Sequence, residues 1–258
     1  MIGSPKVASS VSVLKHLEQC HVNEQSRASS HRTDPSRPAA SDVVGRPSRT
    51  DVLVMLDFDG VLADTRDRFC AAMVRGFARV GRDDLASPDK VLELLDDNWF
   101  DALTREGLTT ADRVVLDHEY QAGLRPYEAL PAFPGVAAAV AAIARRCPVV
   151  VITSTKTEVV RSFLPAHGIV GVSDVIGSDV ETSKVRKISR AVDEHGARRA
   201  WYAGDTAGDI VEGRRAGAAT IAVGWGWHSV ERLLAAAPDH VARTPAELAR
   251  IIETATSV

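Results

Sequence analysis

The sequence predicts an α/β fold: a doubly wound, parallel, five-stranded sheet with a small α-helical domain inserted after the first strand. Three observations carry this prediction. From residue 51 onward, short apolar runs alternate with segments of helical periodicity, which is the order expected of parallel strands covered by helices. The runs are continuously apolar, as in strands buried on both faces. One long interval, between residues 64 and 134, has helical periodicity and no convincing strand.

The predicted core elements follow in regular order. The first strand is the run from Val52 to Leu56, which ends at Asp57, and the next runs, of which 174–177 is the weakest, cover 148–152, 174–177, 199–203 and 219–223. Helices are expected between and after them, over 135–146, 156–167, 184–195, 208–217 and 228–237. Glycines stand where three of these helices should end, at positions 168, 196 and 217, as is usual at helix C-termini.

The interval from 66 to 132 is expected to form the separate helical module. Apolar residues recur at helical spacing over 69–80, a second apolar face begins at 91–95, and a third helix is expected over 114–120. The aromatic pair Trp99 and Phe100 is expected to pack inside this module, because aromatic residues usually form the core of so small a unit.

Residues 1–50 differ in composition from the rest and are interpreted as a disordered extension. They are rich in Ser, Arg, Pro, His and Asp, and such a segment buries too little apolar surface to offset its ordering entropy.

The net charge of −3 argues against a nucleic-acid partner. Apolar runs are too short to span a bilayer. Three cysteines without a CxxC pair fit a reducing cytoplasm, and either a monomer or a homodimer is compatible with the sequence.

Two carboxylates directly follow the first predicted strand. Asp57 and Asp59 stand at the end of a wholly apolar run, where paired acids repel each other and resist burial. A divalent cation would remove the conflict. A plain turn is the alternative for Asp59-Gly60 taken alone, since Asp-Gly is common in turns.

Three further polar clusters follow the ends of later strands. They are Thr153-Ser154, then Ser183-Lys184 before a helix, and finally Gly204-Asp205, with Asp209 four residues further on. Open α/β sheets bind ligands at the carboxyl ends of their strands, so these clusters are expected to meet Asp57 at one edge of the sheet.

The order and content of these clusters resemble the haloacid dehalogenase (HAD) superfamily. The string DFDGVLADT at 57–65, the Thr at the end of the second apolar run and the GDxxxD pattern at 204–209 look like its motifs, and the phosphoglycolate-phosphatase-like branch is the most similar. The resemblance implies a Rossmann-like HAD core over 51–65 and 133–258, with a helical cap domain over 66–132. The Lys-Pro pair frequent in this branch is missing here.

The resemblance also implies roles for individual residues. Asp57 would be the nucleophile that forms an aspartyl phosphate, and Asp59 would act as general acid and then base. Lys184 would neutralise charge, with Lys187 as the alternative and Lys156 as a weaker one. Phosphate-binding residues would be Thr153, Ser154 and Gly60. The implied cofactor is Mg²⁺, held by Asp57, Asp59 through its backbone carbonyl, Asp205 and Asp209.

The function implied is magnesium-dependent hydrolysis of a small phosphorylated metabolite, because a cap over the cleft excludes large substrates. A phosphosugar mutase resembling β-phosphoglucomutase would keep the same motifs and is one alternative. A non-catalytic phosphate-binding or regulatory protein of the same fold is the other.

Overall fold

The computed structural model of the protein describes residues 51–256. Its sheet is parallel throughout and has the strand order β3-β2-β1-β4-β5-β6. The α/β prediction is confirmed, with one correction, since the sheet has six strands and not five. The added edge strand, β6, pairs with β5 over only three residues. So short a sequence cannot show strand periodicity.

The elements lie close to their predicted positions, and both ends of every predicted core helix are within two residues of the expected ones. The strands are β1 (Val52–Leu56), β2 (Val149–Ile152), β3 (Val172–Ile176), β4 (Arg199–Gly204), β5 (Ala219–Val223) and β6 (His240–Ala242). The helices are α1 (Arg66–Arg79), α2 (Pro88–Glu93), α3 (Trp99–Arg105), α4 (Thr110–Leu124), α5 (Val136–Ala144), α6 (Thr157–Ala166), α7 (Lys184–His195), α8 (Ala207–Arg215), α9 (Val230–Ala235) and α10 (Pro245–Thr256).

Strand β1 is the centre of the sheet and is buried on both faces. All five of its residues are buried, and alternate ones join two different hydrophobic clusters, Val54 on one face and Met55 on the other. Its last residue, Leu56, pairs with Val151 of β2 and with Ala203 of β4. The carboxyl ends of these three strands therefore lie side by side, and the residues that follow them share one edge.

Residues 66–132, called the helical segment below, contain α1–α4 and no regular strand. They have their own hydrophobic cluster, in which Phe69, Met73, Phe77 and Leu116 are buried. Trp227, from the loop after β5, also belongs to this cluster, and Leu124 and Leu130 of the segment belong to the cluster on one face of the sheet, so the segment and the core are joined by apolar contacts.

Other expectations are met only in part by the described residues. The interpretation of residues 1–50 lies outside them. No helix within 51–256 is both long and apolar enough to cross a membrane. Cys70 and Cys147 are buried free thiols, and burial raises the pKa of both.

Candidate active site

Asp57, directly after β1, lies at the centre of a buried cluster of charged side chains. Its Oδ1 accepts a hydrogen bond from the backbone amide of Phe58 at 2.7 Å, and its Oδ2 accepts one from Lys184 Nζ at 2.7 Å. Burial raises the pKa of this carboxyl to about 7, with Lys184 opposing the rise and Asp209 adding to it. Burial and the neighbouring acid therefore favour the protonated carboxyl, whereas Lys184 favours the carboxylate.

Lys184, the first residue of α7, bridges two carboxylates. Its Nζ donates to Asp57 Oδ2 at 2.7 Å and to Asp209 Oδ1 at 2.5 Å, and all three side chains are buried. Burial by itself would lower the pKa of an ammonium group, but Asp209 and Asp57 outweigh it and raise the pKa of Lys184 well above its usual value. Lys184 is therefore a permanent positive charge beside Asp57.

The two alternative lysines lie elsewhere. Lys187 is fully buried and donates to the carbonyl oxygen of Thr153, and burial together with the charge of Lys184 lowers its pKa to about 8. Lys156 pairs with Asp117 at 3.0 Å near the surface. Of the three lysines singled out from the sequence, Lys184 is the one that contacts Asp57.

Asp209, in the first turn of α8, has partners on both carboxylate oxygens. Oδ2 accepts from the amide and hydroxyl of Thr206 in a capping box, at 3.1 and 2.7 Å. Oδ1 accepts from Lys184 and from Tyr202 Oη, the latter at 2.9 Å. Burial opposes ionisation, yet Lys184 and these hydrogen bonds lower the pKa of Asp209 overall. Asp209 thus fixes the position of Lys184.

Asp205, directly after β4, combines one engaged oxygen with one free oxygen. Oδ2 accepts from the backbone amide of Trp227 at 2.7 Å, whereas Oδ1 is buried and has no hydrogen-bond partner among residues 51–256. Burial and the charges of Asp209 and Asp57 raise the pKa of Asp205 well above its usual value. A buried carboxylate oxygen without a partner is costly, and a cation at this oxygen would remove the cost.

The acids fit a hard divalent cation. Asp57, Asp205 and Asp209 each offer a carboxylate oxygen within 4.8 Å of the others, and one ammonium group cannot neutralise three carboxylates. Asp205 is the residue best placed to contact a cation directly, because its Oδ1 has no partner among residues 51–256, whereas both oxygens of Asp57 and of Asp209 accept hydrogen bonds from protein donors. Oxygen ligands of this kind suit Mg²⁺, which needs few protein carboxylates because it retains several waters.

Asp59 faces hydroxyl groups and not the other acids. Its Oδ1 accepts from Thr65 Oγ1 at 2.6 Å. Its Oδ2 lies within hydrogen-bonding distance of Thr155 Oγ1 and, at 3.3 Å, of Tyr120 Oη, and these two hydroxyls lie within hydrogen-bonding distance of each other, so their two protons serve three contacts. Burial raises the pKa of Asp59, while the three hydroxyl donors oppose the rise. Two carboxylates only two residues apart therefore have separate surroundings.

The three residues expected to bind phosphate differ in position. Thr153 is fully buried and lines the cavity beside Asp57, as does Ser154; Thr153 Oγ1 accepts from the Thr155 amide and can still donate. The amide of Gly60 donates to the carbonyl oxygen of Ala63. The phosphate role of Gly60 stays a prediction; with φ of +73°, and with any Cβ falling 1.9 Å from Asp205 Oδ2, this glycine makes room for Asp205.

Sequence reasoning missed several residues that complete the site. Thr65 ends the DFDGVLADT string, and Thr155 follows Thr153-Ser154, so both lay within recognised motifs. Tyr202 faces Asp209 from the strand before it. Tyr120 comes from α4 in the helical segment, where no local pattern separates a residue that points at Asp59 from one that packs.

A cavity of about 350 Å³ lies between this cluster and the helical segment. Its polar part includes Asp57, Asp59, Thr153 and Lys184. Its remaining wall is largely apolar and includes Phe69, Met73, Trp99, Phe100, Leu103 and Val114. Trp99 packs against Phe69 and Phe77 as expected of a core residue, but Phe100 lines the cavity and joins no hydrophobic cluster of the described residues.

Comparison with known proteins agrees with this arrangement. Residues 54–223 match the model of the haloacid dehalogenase-like hydrolases, a range that runs from β1 through β5 and includes Asp57, Asp59, Lys184, Asp205 and Asp209. The chain belongs to the haloacid dehalogenase-like hydrolase family. The resemblance inferred from the motifs is thereby confirmed, and the chain is placed among hydrolases.

Individual relatives of this hydrolase cover most of its length. A phosphoglycolate phosphatase of Synechococcus elongatus is 28% identical over 208 residues, which are 77% of this chain and 96% of the relative. A hydrolase from Pseudomonas syringae matches with a TM-score of 0.66 at 17% identity, covering 79% of this chain and 98% of the other. A haloacid dehalogenase-like family hydrolase from Streptococcus pneumoniae matches with a TM-score of 0.61 at 21% identity, covering 77% and 97%. The two structures share its fold.

Proposed function

We propose that this chain is a magnesium-dependent phosphomonoesterase that hydrolyses a small phosphorylated metabolite through an aspartyl phosphate on Asp57. The observation that carries the proposal is the separation of two neighbouring carboxylates. Asp57 lies against Lys184 and the acid cluster, whereas Asp59 lies against three hydroxyls. Different surroundings allow two carboxyl groups to take different roles in one reaction.

Asp57 is the nucleophile in this proposal. One of its carboxylate oxygens attacks phosphorus, and the bond between phosphorus and the ester oxygen breaks as the new Oδ–P bond forms. Lys184 keeps a positive charge beside Asp57, which favours the ionised carboxylate and meets negative charge on the transferring group. Asp209 holds that ammonium in place.

Asp59 is the general acid and then the general base in this proposal. Its raised pKa favours the protonated acid, which gives its proton to the departing alkoxide oxygen. The resulting carboxylate then takes a proton from water, whose oxygen attacks phosphorus and breaks the Oδ–P bond, releasing phosphate and restoring Asp57. Thr65, Thr155 and Tyr120 hold the Asp59 side chain in position throughout.

Charge on the phosphoryl oxygens is met by protein donors at the same edge of the sheet. The Thr153 hydroxyl and the Lys184 ammonium both line the cavity. A bound Mg²⁺, held by Asp57 and Asp205, would add the charge neutralisation that phosphoryl transfer requires. The helical segment closes the other side of the cavity, and we propose that it serves as a cap that excludes bulk water.

The test is phosphate release from p-nitrophenyl phosphate and acetyl phosphate by the wild type, Asp57→Asn and Asp193→Asn. Asp193 is an exposed residue of α7, so its variant is a matched control. We expect magnesium-dependent release by the wild type and the control, and loss in Asp57→Asn. Acid-quenched wild type should carry a hydroxylamine-sensitive phosphoryl group on Asp57.

Other outcomes would remove the proposal. Equal, metal-independent rates in wild type and Asp57→Asn would leave a non-catalytic phosphate-binding protein. Interconversion of hexose phosphates without net phosphate release would favour the mutase. The name of the Synechococcus relative makes phosphoglycolate a natural substrate to include in the same assay.

A further inference from the structure

We infer that the phosphomonoester which this site takes has an uncharged, largely apolar leaving group, of about the size of one ring or a short alkyl chain. This inference rests on the proposed function, because it assumes that the phosphoryl group lies at Asp57. It concerns the part of the cavity that the helical segment builds, where the leaving group of such an ester would lie.

Two apolar side chains line this part of the cavity without a structural reason to be there. Phe100 is only half-buried, and Val114 is 65% exposed. Neither belongs to, or packs against, a hydrophobic cluster within residues 51–256. Both border the cavity. An exposed apolar side chain at the wall of a cavity loses contact with water and gains apolar contact when an apolar group fills the cavity.

The cationic groups that line the cavity already donate hydrogen bonds to other protein groups. Among the described residues these are Lys184 and Arg113. Lys184 lies between Asp57 and Asp209. Arg113 donates through Nη2 to Thr104 Oγ1 and to the Leu108 carbonyl oxygen, which ties it to the helical segment.

The carboxylates of the cavity wall favour the same conclusion. Asp97, Asp117 and Glu212 all border the cavity; Asp97 and Asp117 pair with Arg105 and Lys156, and none of the three carboxylates offers a donor to a second negative charge on the substrate. To form an ion pair away from Lys184, a carboxylated leaving group, such as that of phosphoglycolate, would have to reach Arg113, whose Nε is buried and has no partner among residues 51–256. An apolar leaving group needs no such donor.

The size of the cavity limits the leaving group. A dry cavity of about 150 Å³ is enough to hold benzene, so about 350 Å³ holds a phosphoryl group and one ring or a chain of similar volume. Each additional methylene that is buried is worth about a fourfold gain in affinity for the bound state.

The decisive measurement is kcat/KM for the series from ethyl to hexyl phosphate, beside phosphoglycolate and glycerol phosphate, with magnesium present. Leaving-group reactivity is nearly constant along the alkyl series, so the slope reports apolar contact. We expect about a two- to fourfold rise per methylene until the cavity is full, and kcat/KM for hexyl phosphate at least tenfold above that for phosphoglycolate. Acetyl phosphate, whose leaving group hardly enters this region, reports the phosphatase activity separately.

Two variants test the residues themselves. Val114→Lys adds a cation at the cavity wall and should flatten the alkyl series while raising kcat/KM for phosphoglycolate. Val170→Lys is the matched control, since Val170 is 63% exposed and lies away from the cavity, and it should behave as wild type. Phe100→Ala should also reduce the slope with no change in the rate on acetyl phosphate.

A flat alkyl series in an enzyme that hydrolyses acetyl phosphate would overturn the inference and leave the proposed function standing. So would a preference for phosphoglycolate that Arg113→Gln abolishes. Failure to hydrolyse acetyl phosphate as well would instead refute the proposed function, and the inference with it.

Discussion

Replacing Lys187 by methionine should change how the stability of the protein depends on pH. Lys187 is fully buried, and burial together with the charge of Lys184 lowers its pKa to about 8 from an ordinary value of 10.5. The folded protein therefore releases this proton at lower pH than the unfolded chain does. The protonated lysine destabilises the folded state below pH 8. The free energy of unfolding therefore increases as the pH rises from about 8 towards 10.5.

The size of the effect follows from the two pKa values. A difference of about 2.5 pKa units corresponds to roughly 3 kcal/mol at 1.36 kcal/mol per unit. Most of this, about 2.5 kcal/mol, should appear between pH 7 and pH 10 as Lys187 becomes neutral in the folded state only. The lost hydrogen bond to the Thr153 carbonyl oxygen adds a cost to Lys187→Met that does not vary with pH.

The assay is urea unfolding of wild type and Lys187→Met from pH 7 to pH 10 in EDTA. The quantity of interest is the difference in the free energy of unfolding between the two proteins, because groups common to both cancel. Lys90→Met is a control of opposite sign: Lys90 is exposed, and its hydrogen bond to Glu93 raises its pKa. With rising pH, the free energy of unfolding of the wild type should increase relative to that of Lys187→Met. It should not increase relative to that of Lys90→Met. Parallel curves for wild type and Lys187→Met would refute the reasoning.

Three other substitutions test the site. Gly226→Ala should reduce activity by more than tenfold and weaken Mg²⁺ binding, measured by calorimetry, because its Cβ would lie 2.2 Å from that of Asp205. Tyr120→Phe removes a donor to Asp59 and should lower kcat two- to tenfold, the value of one hydrogen bond, with the melting temperature little changed. Asp57→Asn should lower kcat by about four orders of magnitude or more, yet in EDTA it should melt no lower than wild type, because it relieves repulsion among buried acids.

Each of these has a contrary result. If Gly226→Ala binds Mg²⁺ as tightly as the wild type, metal binding does not depend on the present position of Asp205. An unchanged kcat in Tyr120→Phe would remove the helical segment from the chemistry. A large loss of stability for Asp57→Asn in EDTA would mean that the pair with Lys184 outweighs the repulsion.

Much of the core could be predicted from sequence because its signals are local. The β1 run is apolar throughout, and a strand buried on both faces requires this. The helix that begins at Lys184 ends at Gly196, which takes a left-handed conformation with φ of +59°. Strand β6 was missed because its three residues are too few to show a strand pattern, and it forms by pairing with β5.

Site residues could be predicted where they belong to a motif at the end of a strand. They could not be predicted where their role depends on a contact with a distant part of the chain. Lys184 and Lys187 lie on the same face of α7, one turn apart, so the lysine that reaches Asp57 depends on which turn of the helix lies beside it. Gly60 was assigned to phosphate because of its position in a motif, whereas its lack of a side chain serves Asp205. Tyr120 reaches Asp59 across 61 residues of chain, and no pattern in a single sequence records such a distance.

Trp227 links the two sides of the cavity through a single residue. Its ring packs on Phe69 of α1 with ring centroids 4.8 Å apart, and its backbone amide holds Asp205. Lifting α1 away would uncover the indole and loosen the loop that steadies this acid. We therefore expect a ligand that fills the space beneath α1 to hold Trp227, and through it Asp205, more firmly than a small phosphate ester does. Discrimination between the two would then show in turnover more than in affinity.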